Sequence, residues 1–285
     1  MKPKKKKRNV GKLFFCTIFM VSLIMFSVSL YDHYDDYKKM EAQGVKLREL
    51  KTAYTSEGDN SSSTKCEYTE SPDSEKNTLP VILPEYEKLY EMNQDLAGWL
   101  YIEDTCIDYP VMQTPADENF YLRRDFYGED NRNGCLILDT QSFAGIGTAE
   151  NSYDRGAKPT TNLIIHGHTM RTGAMFGELD LYKDREYGLA HRTICFDSLY
   201  EKREYELIAV FYSQVYEEES EAFKYYSFFQ ADSPEEFDDW YENIKKLSLY
   251  DTHVTAEYGD EFITLSCCSY HVTDGRFVVV GKRIP

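Results

Sequence analysis

Leu13–Tyr31 is a run of nineteen residues, LFFCTIFMVSLIMFSVSLY, without one charged side chain. Nothing else in the chain limits its folding so strongly. The run is close to the ~20 residues a helix needs to cross the hydrocarbon core of a bilayer. Lys2, Lys4, Lys5, Lys6, Lys7, Arg8 and Lys12 precede it with no acid among them, and Asp32, Asp35 and Asp36 follow. The positive-inside rule then places the N-terminus in the cytoplasm and everything after Tyr31 outside the cell. A cleaved secretion signal is the competing reading, but the run exceeds the usual apolar region of such signals and no A-x-A-like site ends it. The expectation is a single-pass anchor in the cell membrane over residues 13–31, behind a basic cytoplasmic segment at 1–12.

The charge balance of the rest is different. Seven of the 32 basic residues lie in the first twelve positions, leaving 25 against 49 acids over the remainder. An acidic body of this kind is a poor partner for a phosphate backbone, so nucleic-acid binding is not expected. With 42% hydrophobic residues, 24 Tyr and 16 Phe, the chain can build a real core. Seven cysteines in 285 residues are too few for a disulfide scaffold. Cys66, Cys106, Cys135 and Cys195 read as free thiols, and Cys16 as a residue within the lipid.

Residues 32–78 read as an extracellular linker. Its first part is charged and compatible with helix. Lys51 to Thr78 is rich in Ser, Thr, Asp, Glu and Asn and reads as a flexible spacer. The folded domain is expected over 79–285. Pro84–Ala97 has a helical pattern, with Leu89, Met92 and Leu96 on one face. Eight short apolar runs follow: 99–102, 106–111, 134–138, 162–166, 193–196, 204–212, 262–268 and 276–282. They are rich in β-formers and separated by turn residues, which predicts a mainly β domain, a closed or nearly closed eight-stranded barrel with helices in its connections. About fifty residues separate Tyr212 from Phe262, too many for a structureless loop. Within them Ser233-Pro234-Glu235-Glu236 is a helix start, followed by Phe237, Trp240, Tyr241, Ile244 and Leu247 at helical spacing. That stripe reads as a core-facing surface.

Three residue types converge on one chemistry. Phe262–Cys268 ends in two cysteines, Asp274-Gly275 is a turn signal, and Arg276 opens the next run, so a hairpin would set Cys268 beside Arg276. Far upstream, Ile164-Ile165-His166-Gly167-His168 ends another strand in histidine. A thiol becomes a strong nucleophile when an imidazole takes its proton. The imidazole can return that proton to a leaving amine, and a fixed guanidinium can hold an oxyanion. The same residues also suit an ordinary core, where cysteine packs as a small hydrophobe. A zinc site built from His166, His168, Cys267 and Cys268 has the right donor types, but adjacent cysteines on a strand diverge.

Several segments add a resemblance. Thr264-Leu265-Ser266-Cys267-Cys268 is similar to the TLxTC signature of sortases, the cysteine transpeptidases that anchor proteins to Gram-positive cell walls. Ile165-His166-Gly167-His168-Thr169-Met170 resembles their IYGHxM segment. Gly98-Trp99-Leu100, Ile107-Asp108-Tyr109-Pro110-Val111, Tyr121 to Gly128 (YLRRDFYG), Met175-Phe176-Gly177 and the helical insertion before the cysteine strand resemble class B sortases in particular. The resemblance runs from about residue 80 to the C-terminus. It implies the eight-stranded sortase-type barrel, with an N-terminal helix and a helical insertion before the cysteine strand. It also implies Cys268 as nucleophile, His168 as general acid/base and Arg276 as oxyanion or substrate stabiliser.

The implied reaction cleaves a C-terminal NPxTx-type sorting signal of a secreted protein after its Thr, through a thioacyl enzyme. The protein then passes to a peptidoglycan amine, from a precursor or a cross-bridge. A pilin lysine as acceptor and a non-catalytic membrane-tethered scaffold are the alternatives. No cofactor and no metal are expected. Two positions depart from the family pattern. Cys267 stands where Thr is usual; strand alternation allows only one of the two thiols to face His168, and the arginine spacing favours Cys268. Cys267 is left to pack inward or to join Cys268 in a vicinal disulfide. His166 stands where Tyr is usual, on the face of His168 if the strand continues, and is a rival base. His271 lies in the hairpin loop and reads as solvent-facing.

Overall fold

The computed structural model describes residues 10–58, 80–147 and 157–284. The lysines before Val10, most of the Ser-rich spacer with Cys66, and Leu79 lie outside the described residues. The chain forms two compact units, one ending at Gln43 and one beginning at Gly44.

Helix α1 (Val10–Gly58) begins in the first unit. It is the one helix among the described residues long and apolar enough to cross a membrane. Its uncharged stretch is exposed all round, with Phe15 and Met25 about two-thirds or more open.

The second unit takes in the end of α1, from Gly44. Leu47 is 2% exposed and packs with Tyr86, Leu89, Trp99 and Tyr121. Lys51 sits 4.8 Å from the centre of the Trp99 ring and 3.9 Å from Asp197 Oδ2. Burial lowers its pKa, with the charges of Asp197 and Asp108 acting the other way. The sequence alone puts this stretch before the domain, because one leucine and the stem of a lysine do not stand out in a charged segment.

Eight strands follow: β1 (Leu96–Tyr101), β2 (Asp108–Met112), β3 (Leu136–Leu138), β4 (Asn162–Gly167), β5 (Thr193–Ser198), β6 (Glu204–Gln214), β7 (Phe262–Cys268) and β8 (Gly275–Arg283). They close into a barrel in the order β1-β2-β3-β4-β7-β8-β6-β5. Closure leaves no open sheet edge. Two neighbouring pairs, β2–β3 and β4–β7, run parallel and the rest antiparallel.

Each of the eight expected runs holds a strand, although Cys106 and Ile107 precede β2 and Gly134 and Cys135 precede β3. The helix expected over Pro84–Ala97 is shorter: α2 covers Pro84–Met92, and Leu96 opens β1. Asn93 turns the chain out, with extended dihedrals and its side-chain oxygen accepting from the Asp95 N–H at 2.9 Å. A short helix, α3 (Arg185–Ala190), is capped by Asp184, whose carboxylate accepts from two backbone N–H groups.

Helix α4 (Pro234–Leu247) lies in the long β6–β7 connection. Ser233 Oγ accepts from the Glu236 N–H at 3.2 Å, and the Glu236 carboxylate accepts from the Asp232 N–H, one residue further back than a capping box requires. Phe237, Trp240 and Ile244 are buried against Phe262, Val278 and Val280 on the outer face of β7 and β8. Trp240 stacks on Phe228 with centroids 4.4 Å apart and meets Phe262 edge-on at 4.8 Å. The stripe is narrower than its sequence pattern, since Tyr241 is half-buried and Leu247 exposed. Trp240→Ala is expected to cost about 3–5 kcal/mol of unfolding free energy, and Ser233→Ala about 1 kcal/mol, measured by denaturant titration of the purified chain.

Candidate active site

The site is assembled by register. Cys268 pairs with Arg276 across the antiparallel β7–β8 ladder, and Ser266 with Val278. On the other side β7 runs parallel to β4, with His166 opposite Ser266 and Gly167 opposite Cys267. Successive side chains on a strand alternate, so His166, Ser266, Cys268 and Arg276 share the outer face of the barrel, and Cys267 points inside. His168 follows β4 directly and lines the same groove. A Cβ on Gly167 would lie 2.5 Å from the Phe176 ring and 2.6 Å from a Leu136 methyl carbon, so only glycine fits between the two histidines.

The groove holds about 550 Å³. Cys268, Arg276, His168, His166, Asp139 and Glu118 all line it, over a floor that includes Ile137. Tyr225, from the β6–β7 connection, hydrogen-bonds Ser266 Oγ at 2.7 Å, and burial pushes its phenol well up.

The two cysteines separate as alternation requires. Cys268 is exposed and Cys267 is 2% exposed; both are free thiols, so no vicinal disulfide joins them. Burial pushes the Cys267 thiol up to about 12, against weaker opposing help from Thr169. Thr169 donates its hydroxyl to the Cys268 carbonyl at 2.6 Å, tying the end of β7 to the chain after β4.

His168 Nε2 lies 2.7 Å from the Leu122 carbonyl. A carbonyl only accepts, so Nε2 carries a proton and Nδ1 is the nitrogen left for exchange. Leu122 belongs to the YLRR segment, in a 3₁₀ turn over Phe120–Arg123. Among the described residues no hydrogen bond joins Cys268 to His168. Arg276 donates to the carbonyls of Gly275 and Asp274, at 3.0 and 3.3 Å, which holds the guanidinium over its own turn.

His166 has a different partner. Its Nε2 lies 3.0 Å from Asp139 Oδ2, and the ligand atoms of Glu118, Asp139 and His166 all lie within 4.8 Å of one another. The Glu118 carboxyl is raised above its ordinary range, first by partial burial and then by the charge of Asp139. The four candidate zinc donors therefore do not converge: His166 turns to Asp139, His168 to Leu122, and the thiols to opposite faces. His271 is exposed, bonded to Ser269 Oγ and tilted against Tyr212. Sequence patterns do not single out Asp139, Glu118, Thr169 and Tyr225, which come from four separate connections; only the end-of-strand position of Asp139 was a usable signal.

At pH 8 a thiol with a pKa near 12 is roughly one part in ten thousand thiolate. Brief treatment with iodoacetamide and peptide mapping is therefore expected to find Cys268 alkylated and Cys267 untouched.

No family model matches the sequence. A sortase B of Listeria monocytogenes is 31% identical over 204 residues, spanning 70% of this chain and 74% of that protein. The sortase B structure from B. anthracis superposes with a TM-score of 0.63 at 27% identity, over 88% of this chain and 99% of that one. A Staphylococcus aureus sortase B–substrate complex shares the fold, with a TM-score of 0.65 at 22% identity over 87% and 97% of the two chains. Barrel order, groove and sequence agree: the chain belongs to the sortase B family.

Proposed function

We propose that this chain is a membrane-anchored cysteine transpeptidase, with Cys268 as nucleophile, His168 as general acid/base and Arg276 as oxyanion stabiliser. One observation carries the reading: Cys268 and Arg276 are direct cross-strand neighbours, and His168 extends the adjoining strand along the same groove wall. In this reading the uncharged run 13–31 spans the cell membrane with the basic segment 1–12 inside. Residues 32–78 link it to an extracellular domain at 79–285, and the part of that link around Leu47 and Lys51 packs onto the domain.

The substrate would be a secreted protein ending in an NPxTx-type signal. Membership of the sortase B family supports that class, and Cys268 is exposed in a groove of about 550 Å³. The Cys268 thiolate adds to the Thr carbonyl carbon, and the negative charge that gathers on the oxygen faces Arg276. When the C–N bond breaks, His168 Nδ1 delivers its proton to the leaving amine, while Nε2–H stays on the Leu122 carbonyl and keeps the ring aligned. A cell-wall peptidoglycan amine then adds to the thioester, gives a proton to His168, and the C–S bond breaks. Burial and a raised pKa leave Cys267 out of this chemistry.

Full-length protein in detergent micelles, incubated with an NPQTN-type peptide, is expected to gain the mass of a thioacyl adduct on Cys268. Cys268→Ala and His168→Ala should abolish it. Arg276→Lys should slow adduct formation about 100-fold or more, the usual cost of losing an aligned oxyanion donor. An adduct on Cys267 would overturn the nucleophile assignment. No adduct across a panel of Thr-containing signals would overturn the transpeptidase itself.

A further inference from the structure

The groove is chemically two-ended. Arg276 stands on β8 with Cys268 opposite it on β7, and His168 follows β4 on the far side of β7. Further along the same face is a second imidazole, His166, with two carboxylates beside it. Strand spacings place His166 relative to Cys268: one strand across, about 4.8 Å, and two residues along, about 6.6 Å, or roughly 8 Å between the two Cα atoms. A small group bound between them would touch both side chains.

His166 has the wiring of an acid/base residue. Asp139 is buried, and its Oδ2 accepts from His166 Nε2–H at 3.0 Å, which fixes the ring and leaves Nδ1 as the nitrogen that can take a proton. The other ring nitrogen, Nδ1, has no protein partner among the described residues, although His166 lines the groove. Glu118 adds a third ligand atom within the same 4.8 Å cluster, so this end favours a cation.

The reaction brings one cation that must lose a proton. An alkylamine acceptor has a pKa near ~10.4 and arrives as ammonium, which has no lone pair for attack. His168 cannot serve twice in one turnover without delay, because it takes the proton released as the new amide forms. We infer that His166 is the base that converts the bound acceptor ammonium to the free amine, with Asp139 as its positioning residue. This inference rests on the transpeptidase reading above. The ammonium gives one proton to His166 Nδ1. The neutral amine forms the C–N bond at the thioester carbon, the C–S bond breaks, and its second proton goes to His168. His166 then returns its proton to water, so protons and electrons balance over the cycle.

The test separates aminolysis from acylation. The purified full chain is acylated with the signal peptide and challenged with a lysine-like alkylamine, glycinamide or hydroxylamine, the last being unprotonated at neutral pH. For His166→Gln the expected loss is about 100-fold with the alkylamine, smaller with glycinamide and under about threefold with hydroxylamine. Asp139→Asn should give the same ordering with a smaller loss. Equal slowing with all three acceptors in both variants would mean a structural role and overturn the inference. So would an unaltered alkylamine rate. Failure of the wild-type chain to form a thioester would instead overturn the reading on which it rests.

Discussion

Strand β4 lies parallel to β7 with Gly167 opposite Cys267, and β7 lies antiparallel to β8 with Cys268 opposite Arg276. These two registers put His166, Cys268 and Arg276 on one face. The side-chain period of a strand is two, so a slip of one residue in either ladder would send one partner to the other face. Closure of the barrel prevents such a slip, since both ladders belong to one hydrogen-bonded ring with apolar residues packed inside and α4 packed outside. The tight seat of Gly167 and the Thr169 bond to the Cys268 carbonyl pin the same junction from the β4 side.

The same alternation distinguishes two chemically identical thiols. Cys267 is turned into the barrel, where burial makes its ionisation costly; Cys268 is turned out, beside a guanidinium and an imidazole. The groove then separates charge along its length. In the proposed scheme Arg276 marks the end that receives the oxyanion, and Asp139 with Glu118 the end that receives the ammonium. A thioacyl transfer needs both, one for each half of the reaction. In the proposed scheme, therefore, one face of one sheet supplies an order of events.

Much of this was legible beforehand. The eight strands announced themselves through β-branched and aromatic runs between turn residues, and α4 through a Ser-Pro-Glu-Glu start and a stripe of large apolar residues. The Cys268–Arg276 pairing could be read off the Asp274-Gly275 turn, because a hairpin is local and its register follows from loop length. The miss at Pro84–Ala97 has a local cause as well. Leu96 continues the helical spacing of Leu89 and Met92, but Asn93 breaks the helix by bonding Asp95, and a periodicity of three residues cannot register that.

The sequence by itself determined the element types, the hairpin that pairs Cys268 with Arg276, the uncharged N-terminal run and the histidines that end β4. Each follows from forces acting over a few residues: periodic burial, capping and turn geometry. Only the tertiary structure decided that Cys267 packs inward as a free thiol, that the end of α1 packs into the second unit through Leu47, and that Asp139 and Glu118 meet His166. Those groups lie twenty to more than a hundred positions apart in the chain. What unites them is the closing of the barrel and the packing of its connections, a property of the whole fold that no local pattern carries.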